Sequence, residues 1–148
     1  MRLAYLLQLG LLIIAISLAW IRGGQPERAA AAAIASMYVL DPIYHATWGQ
    51  VTTYDDINAG HLVIDLIAWI AMVTIALRAN RWWTLWLASA QTISVLSHFL
   101  RGAFEVMHPW VYAAMGRGPS WLEIALLFVG TALYHRHQRA RLQRLPRS

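Results

Sequence analysis

Apolar residues in this chain fall into long blocks, separated by short polar or arginine-bearing connections. A helix that crosses the hydrocarbon core of a bilayer needs about 20 mostly apolar residues. Five blocks meet or approach that length: 3–21, 29–48, 61–77, 82–100 and 121–134. Each predicts a membrane-spanning helix, the last and shortest extending to the interface through Tyr134-His135. The pattern predicts an all-α fold: a small polytopic membrane bundle of about five helices, forming one domain over 1–135, with a basic tail over 136–148. The alanine run Ala29 to Ala33 combines high helix propensity with side chains small enough for close packing. Ser17-Leu18-Ala19 has the small-residue spacing of a signal-peptide cleavage site. The apolar run from Leu3 to Ile21 is longer than a usual signal core, however, and is read as a retained span.

Local signals interrupt two of the blocks. Asp41-Pro42 predicts a bend or break in the second span within one turn, because proline removes a backbone donor and clashes with the preceding turn. Asp41 then caps a short outer helix starting at Pro42. Between the fourth and fifth spans, Met107 to Met115 is apolar but too short to cross, which predicts an interfacial helix or a re-entrant cap over the outer end. Ser120 and Glu123 have capping-box spacing, which gives Glu123 a structural role at the start of the fifth span.

Composition sharpens this picture. The chain is 59% hydrophobic and 13% charged, against ~25% charged in soluble domains. That balance excludes a disordered tail, a nucleic-acid-binding arm and an ordinary soluble enzyme. There are no cysteines, so disulfides, thiolate metal sites, iron–sulfur clusters and cysteine nucleophiles are excluded. All 12 basic residues are arginine. Nine lie on one side of the expected bundle (Arg22, Arg28, Arg78, Arg81, Arg136, Arg139, Arg141, Arg144 and Arg147) and three on the other (Arg2, Arg101 and Arg117). The positive-inside rule places the nine in the cytoplasm of a bacterial-type inner membrane, with the N-terminus outside and the C-terminus inside. The Asp55-Asp56 loop and the 102–120 connection then face outward. The basic tail suits an anionic leaflet, and nucleic acid is not needed as a partner. Trp20, Trp48, Trp82, Trp83, Trp110 and Trp121 fall near span ends, as an interfacial belt would have them, while Trp69 and Trp86 lie deeper.

Ionisable residues inside spans are costly and are usually paired or functional. Asp41 and His45 are four residues apart in the second span, as are His61 and Asp65 in the third, so each pair shares a helix face. The fourth span carries Gln91, Ser94, His98, Arg101 and Glu105 at alternating spacings of three and four, a polar stripe that must face the bundle interior or a wet cavity. Counting helical rise from the outer ends places His45, Asp65 and His98 at one depth. They are expected to converge, with Asp41 a turn deeper and Arg101 and His61 a turn shallower. The first and fifth spans are poor in polar groups and are expected at the periphery.

Four chemistries fit this layer. A divalent metal would take His45, Asp65 and His98, with Asp41 or His61 as a further ligand or supporting partner. A b-type haem would take His45 and His98 axially, with Arg101 near the propionates. A transporter would use the His/Asp chain as a protonation relay. A purely structural network would pair Asp41 with His45, His61 with Asp65 and Glu105 with Arg101. No HExxH, GxSxG, CxxC or phosphate-loop motif is present, and no catalytic residue is assigned. The expected function is that of a small accessory or binding subunit of a larger membrane complex, of the electron-transport or light-harvesting kind. Its partners would be lipid and other membrane subunits or further copies of itself. The alternative is a membrane metalloenzyme or a small proton-coupled transporter using the same layer.

Overall fold

The computed structural model of the protein describes residues 2–48, 59–103 and 109–143, and the regular structure among them is entirely α-helical. Five helices follow in order: α1 (Arg2–Arg22), α2 (Gln25–Trp48), α3 (Ala59–Ala79), α4 (Trp82–Ala103) and α5 (Pro109–Gln143). Each expected span is contained in one of them. Two stretches, Leu3–Arg22 and Gly60–Ala79, are long and apolar enough to cross a membrane by length and composition. The other three helices fall short of that criterion for physical reasons. The apolar content of α2 is largely alanine, α4 carries its polar stripe, and α5 includes the polar run Gly116-Arg117-Gly118-Pro119-Ser120.

The two described turns, between α1 and α2 and between α3 and α4, are tight and explicitly capped. Gly24 precedes α2, and its N–H donates to Glu27 Oε2 at 2.9 Å, the return half of a capping box. Asn80 ends α3 with φ at 47°, a left-handed conformation that asparagine tolerates and that closes a helix C-terminus. Thr84 donates from both its N–H and its hydroxyl to the Arg81 carbonyl, at 3.1 and 2.6 Å.

Successive helices pack on one another, α5 closes back onto α1, and α2 also touches α5. Helices α2 to α5 therefore form a four-helix unit, with α1 lying in the groove between α2 and α5. This changes the expected place of the fifth span. Instead of standing at the periphery, α5 touches α1, α2 and α4 and buries Glu123, Ile124, Leu126, Leu127 and Thr131. The alanine run does pack closely: Ala30, Ala31 and Ala33 are buried together with Leu12, Ala15 and Ala19 of α1. Trp83 is not part of an interfacial belt. Its ring is buried against Gly130, where a Cβ would sit 2.6 Å from the indole Cε2, so α4 and α5 approach at a position with no room for a side chain.

The break expected at Pro42 and the cap expected at Asp41 are not found. Helix α2 continues through Pro42 to Trp48, so Asp41 is an interior helical residue and not a cap. Helix α5 is 35 residues long and includes both 109–115 and Pro119. Of the expected separate cap over 107–115, residues 109–115 are the first two turns of this helix, residues 107 and 108 lying outside the described residues, and the helix also continues into the basic tail. A proline forfeits one backbone hydrogen bond, and both helices continue across that gap. Ser120 accordingly donates to the Arg117 carbonyl at 2.9 Å inside the helix. Glu123 is buried and is not half of a capping box.

Beside its apolar core the bundle buries several polar side chains and turns many large apolar ones outward. Glu27, Thr84, Gln91, Glu123 and Thr131 are buried, while Leu3, Leu6, Leu7, Ile13, Ile21, Val63, Ile70, Leu77 and Phe99 face outward.

Candidate functional site

The five His and Asp residues singled out in the sequence form two groups. The first joins the C-terminal half of α2 to the N-terminal end of α3. Asp41 Oδ1 lies 3.0 Å from His61 Nδ1 and 3.7 Å from His45 Nε2. The two imidazole centroids are 5.0 Å apart, and one ligand atom from each of the three residues lies within 4.8 Å of the others. Helical spacing places Asp41 and His45 on one face. The partner from α3 is His61 and not Asp65, because the ends of these helices are not level. Residue 61, in the first turn of α3, meets residue 41, about two turns before the end of α2.

Tyr44 and Gly60 set that juxtaposition. The Tyr44 ring stands edge-on to both imidazoles, with centroids 5.5 Å from His45 and 5.8 Å from His61. Gly60 lies directly against this ring, and any Cβ there would overlap it. The glycine beside His61 therefore lets α3 come close enough for His61 to reach Asp41. The three side chains are half-buried, at 46% exposure for Asp41, 30% for His45 and 34% for His61. His45 Nδ1 is buried without a hydrogen-bond partner.

The second group lies deeper, between α3 and α4. His98 Nε2 is 2.8 Å from Asp65 Oδ2, with each side chain 20% exposed. Gln91 Nε2 donates to the Asp65 carbonyl at 3.1 Å and, more weakly, to Asp65 Oδ1 at 3.4 Å. Gln91 and His98, seven residues apart on the α4 stripe, thus both face α3. Trp69 adds a further bond across the same interface, from Nε1 to Thr92 Oγ1 at 2.9 Å.

The expected single layer of His45, Asp65 and His98 is therefore divided. His45 belongs with Asp41 and His61, and Asp65 with His98. The axial pairing of His45 and His98 about one iron gains nothing from this arrangement. The side chain of Arg101 lies outside the described residues, as do Glu105 and Asp55-Asp56.

A third set of polar residues was not singled out as a site in the sequence. On α1, Gln8 Nε2 donates to Ser120 Oγ at 2.8 Å and to the Tyr38 hydroxyl at 3.2 Å, tying α1 to both α5 and α2. Glu123 is one helical turn from Ser120. A lone glutamine in an apolar helix was the available signal, and it becomes informative only once α5 is known to lie alongside α1.

Chemically, two imidazoles and a carboxylate at this spacing are a three-ligand set for a divalent transition metal. Ligand atoms ~2.0–2.2 Å from a shared ion lie at most about 4.4 Å apart, so modest side-chain rotation closes the group around one. No protein-family model, curated protein or solved structure matches the chain. The class defined by fold and site is thus an all-α protein of five described helices, two of them apolar enough to cross a membrane, with a His/Asp group of metal-ligating geometry.

Proposed function

We propose that this protein is a small multi-pass inner-membrane protein, an accessory or binding subunit that holds a divalent metal of the zinc class between the outer ends of α2 and α3. The observation that carries the metal reading is the convergence of Asp41, His45 and His61 from two helices. Three protein ligands leave a fourth position of a tetrahedral ion for water or for a group from a partner.

The outward-facing apolar side chains support the membrane reading. In each of the two most apolar helices only 17% of the spanning window is buried inside the molecule. A core helix of a soluble protein would be mostly covered, whereas these present rows of Leu, Ile and Val outward, a surface suited to lipid. A bundle of five spans puts the chain ends on opposite sides, and the arginine split orients it with the C-terminus in the cytoplasm. The exposed faces of α1 and α3 are available to lipid, to another membrane subunit or to a second copy.

Two experiments test this reading. Titrating Zn²⁺ into the detergent-purified protein is expected to give one site per chain, with affinity falling as the pH falls because protons compete for the imidazole ligands. Absence of stoichiometric binding rejects the metal site. Independently, a topology reporter fused after Ser148 is expected to be active only in the cytoplasm, and one inserted at Asp55 only outside. Both reporters on one side would reject the five-span arrangement.

A further inference from the structure

Glu123 has no role in the proposed metal site, yet it is among the most enclosed polar residues of the molecule. It is 1% exposed, and its Oε1 is buried with no hydrogen-bond partner. Gln91, 0% exposed, has an unpartnered Oε1 as well. The two are level with one another. The contact between Trp83 and Gly130 fixes the antiparallel register of α4 and α5. Gln91 lies about two turns beyond Trp83, and Glu123 about two turns before Gly130. The interior of the four-helix unit therefore holds two unpartnered acceptor oxygens at this level, while the unpartnered Trp83 Nε1 and Thr131 Oγ1 lie about two turns away.

The groups facing Glu123 supply no positive charge. Helix α1 brings Gln8, hydrogen-bonded to Ser120, and α2 brings Tyr38. Helix α3 brings Asp65, whose backbone carbonyl accepts from Gln91 at 3.1 Å and so lies at the same level, and α4 brings Gln91. Among the described residues the imidazole nearest this level, His98, is committed to Asp65 at 2.8 Å. A carboxylate here would be a buried anion beside a second carboxylate, without compensation, and a group so placed is neutralised instead. A hard metal cation is a poor neutraliser, because it asks for six or more oxygens and this level offers two unpartnered ones. A proton needs one oxygen, and the resulting O–H is a donor in a place that has a surplus of acceptors.

We propose that Glu123 is a proton-binding site in the interior of the bundle, where it is held as a neutral carboxylic acid beside Gln91. This inference is independent of the metal reading. Buried acids of this kind are what proton-coupled membrane proteins use to take up and release their proton, so the site assigns the protein a second ligand besides the metal.

Infrared spectroscopy of the detergent-purified protein near neutral pH tests this directly. The wild type is expected to show the C=O stretch of a protonated carboxyl, shifted on transfer to D₂O. Glu123→Gln is expected to lose that band while Asp65→Asn retains it. Should Glu123→Gln fail to fold, Glu123→Asp keeps an acid and is expected to move the band instead of removing it. Absence of a protonated-carboxyl band in the wild type overturns the proposal. So does a band untouched by both Glu123 substitutions, or one that appears only when sodium is removed, which would identify a cation site. Adding Zn²⁺ is expected to leave the band in place.

Discussion

Asp65→Ala is expected to lower the stability of the protein by about 2–4 kcal/mol, read as earlier thermal unfolding in detergent. The carboxylate accepts from His98 at 2.8 Å, and its backbone carbonyl holds the buried amide of Gln91. Removing the side chain leaves an imidazole with one-fifth exposure facing a void between α3 and α4. It also withdraws the weaker acceptor of Gln91 at 3.4 Å. The cost is one of unpaired groups more than of lost attraction, so Asp65→Asn, which retains an acceptor oxygen, is expected to lose less. A double-mutant cycle with His98→Ala isolates the pair. If the two side chains act on one another, the double variant should be less destabilised than the sum of the singles, by roughly 1–3 kcal/mol. Additivity within about 0.5 kcal/mol would mean that the 2.8 Å contact contributes nothing in solution.

How far the sequence determines this picture depends on the range of the interaction. The helices follow from composition, since blocks rich in Leu, Ile, Val and Ala have few other ways to satisfy their backbone. The faces of the polar residues follow from spacing: Asp41 with His45, and Gln91 with His98, each project together from one helix. Helix-to-helix register is not encoded in that way. That His61 meets Asp41 depends on the axial offset of α2 and α3, which the fit of Gly60 against Tyr44 sets, and that Asp65 meets His98 depends on the offset of α3 and α4. No count of residues from the span ends reports such an offset. The prolines fail for the opposite reason. Pro42 and Pro119 carry strong local signals to end a helix, but each removes a single backbone hydrogen bond, and each helix continues through it. Glu123 shows both effects. Its capping-box spacing with Ser120 is genuine in the sequence, and it loses that meaning once α5 begins at Pro109, well before Ser120.

The division of the His and Asp residues into two groups makes a prediction that a single converging layer would not. Alanine substitution of His61 or Asp41 is expected to reduce Zn²⁺ affinity more than about 100-fold. Loss of a mere supporting partner of a metal ligand typically costs 10–100-fold, and these residues would touch the ion itself. His45→Ala should behave like them, since its Nε2 faces the same carboxylate oxygen. Asp65→Asn and His98→Ala, by contrast, are expected to leave Zn²⁺ affinity within a few-fold of wild type, although both disturb stability, because their shared contact lies in the deeper group. Gly60→Ala gives a third behaviour. It removes no ligand, but its Cβ would displace the Tyr44 ring and with it the approach of α3 that lets His61 reach Asp41. Affinity should then fall with stoichiometry preserved. Calorimetric titration of these variants distinguishes the arrangements. Equal losses at His61 and at His98 would restore one layer of ligands across α2, α3 and α4, whereas loss at His61 alone places the ion between α2 and α3, above the buried acid of α5.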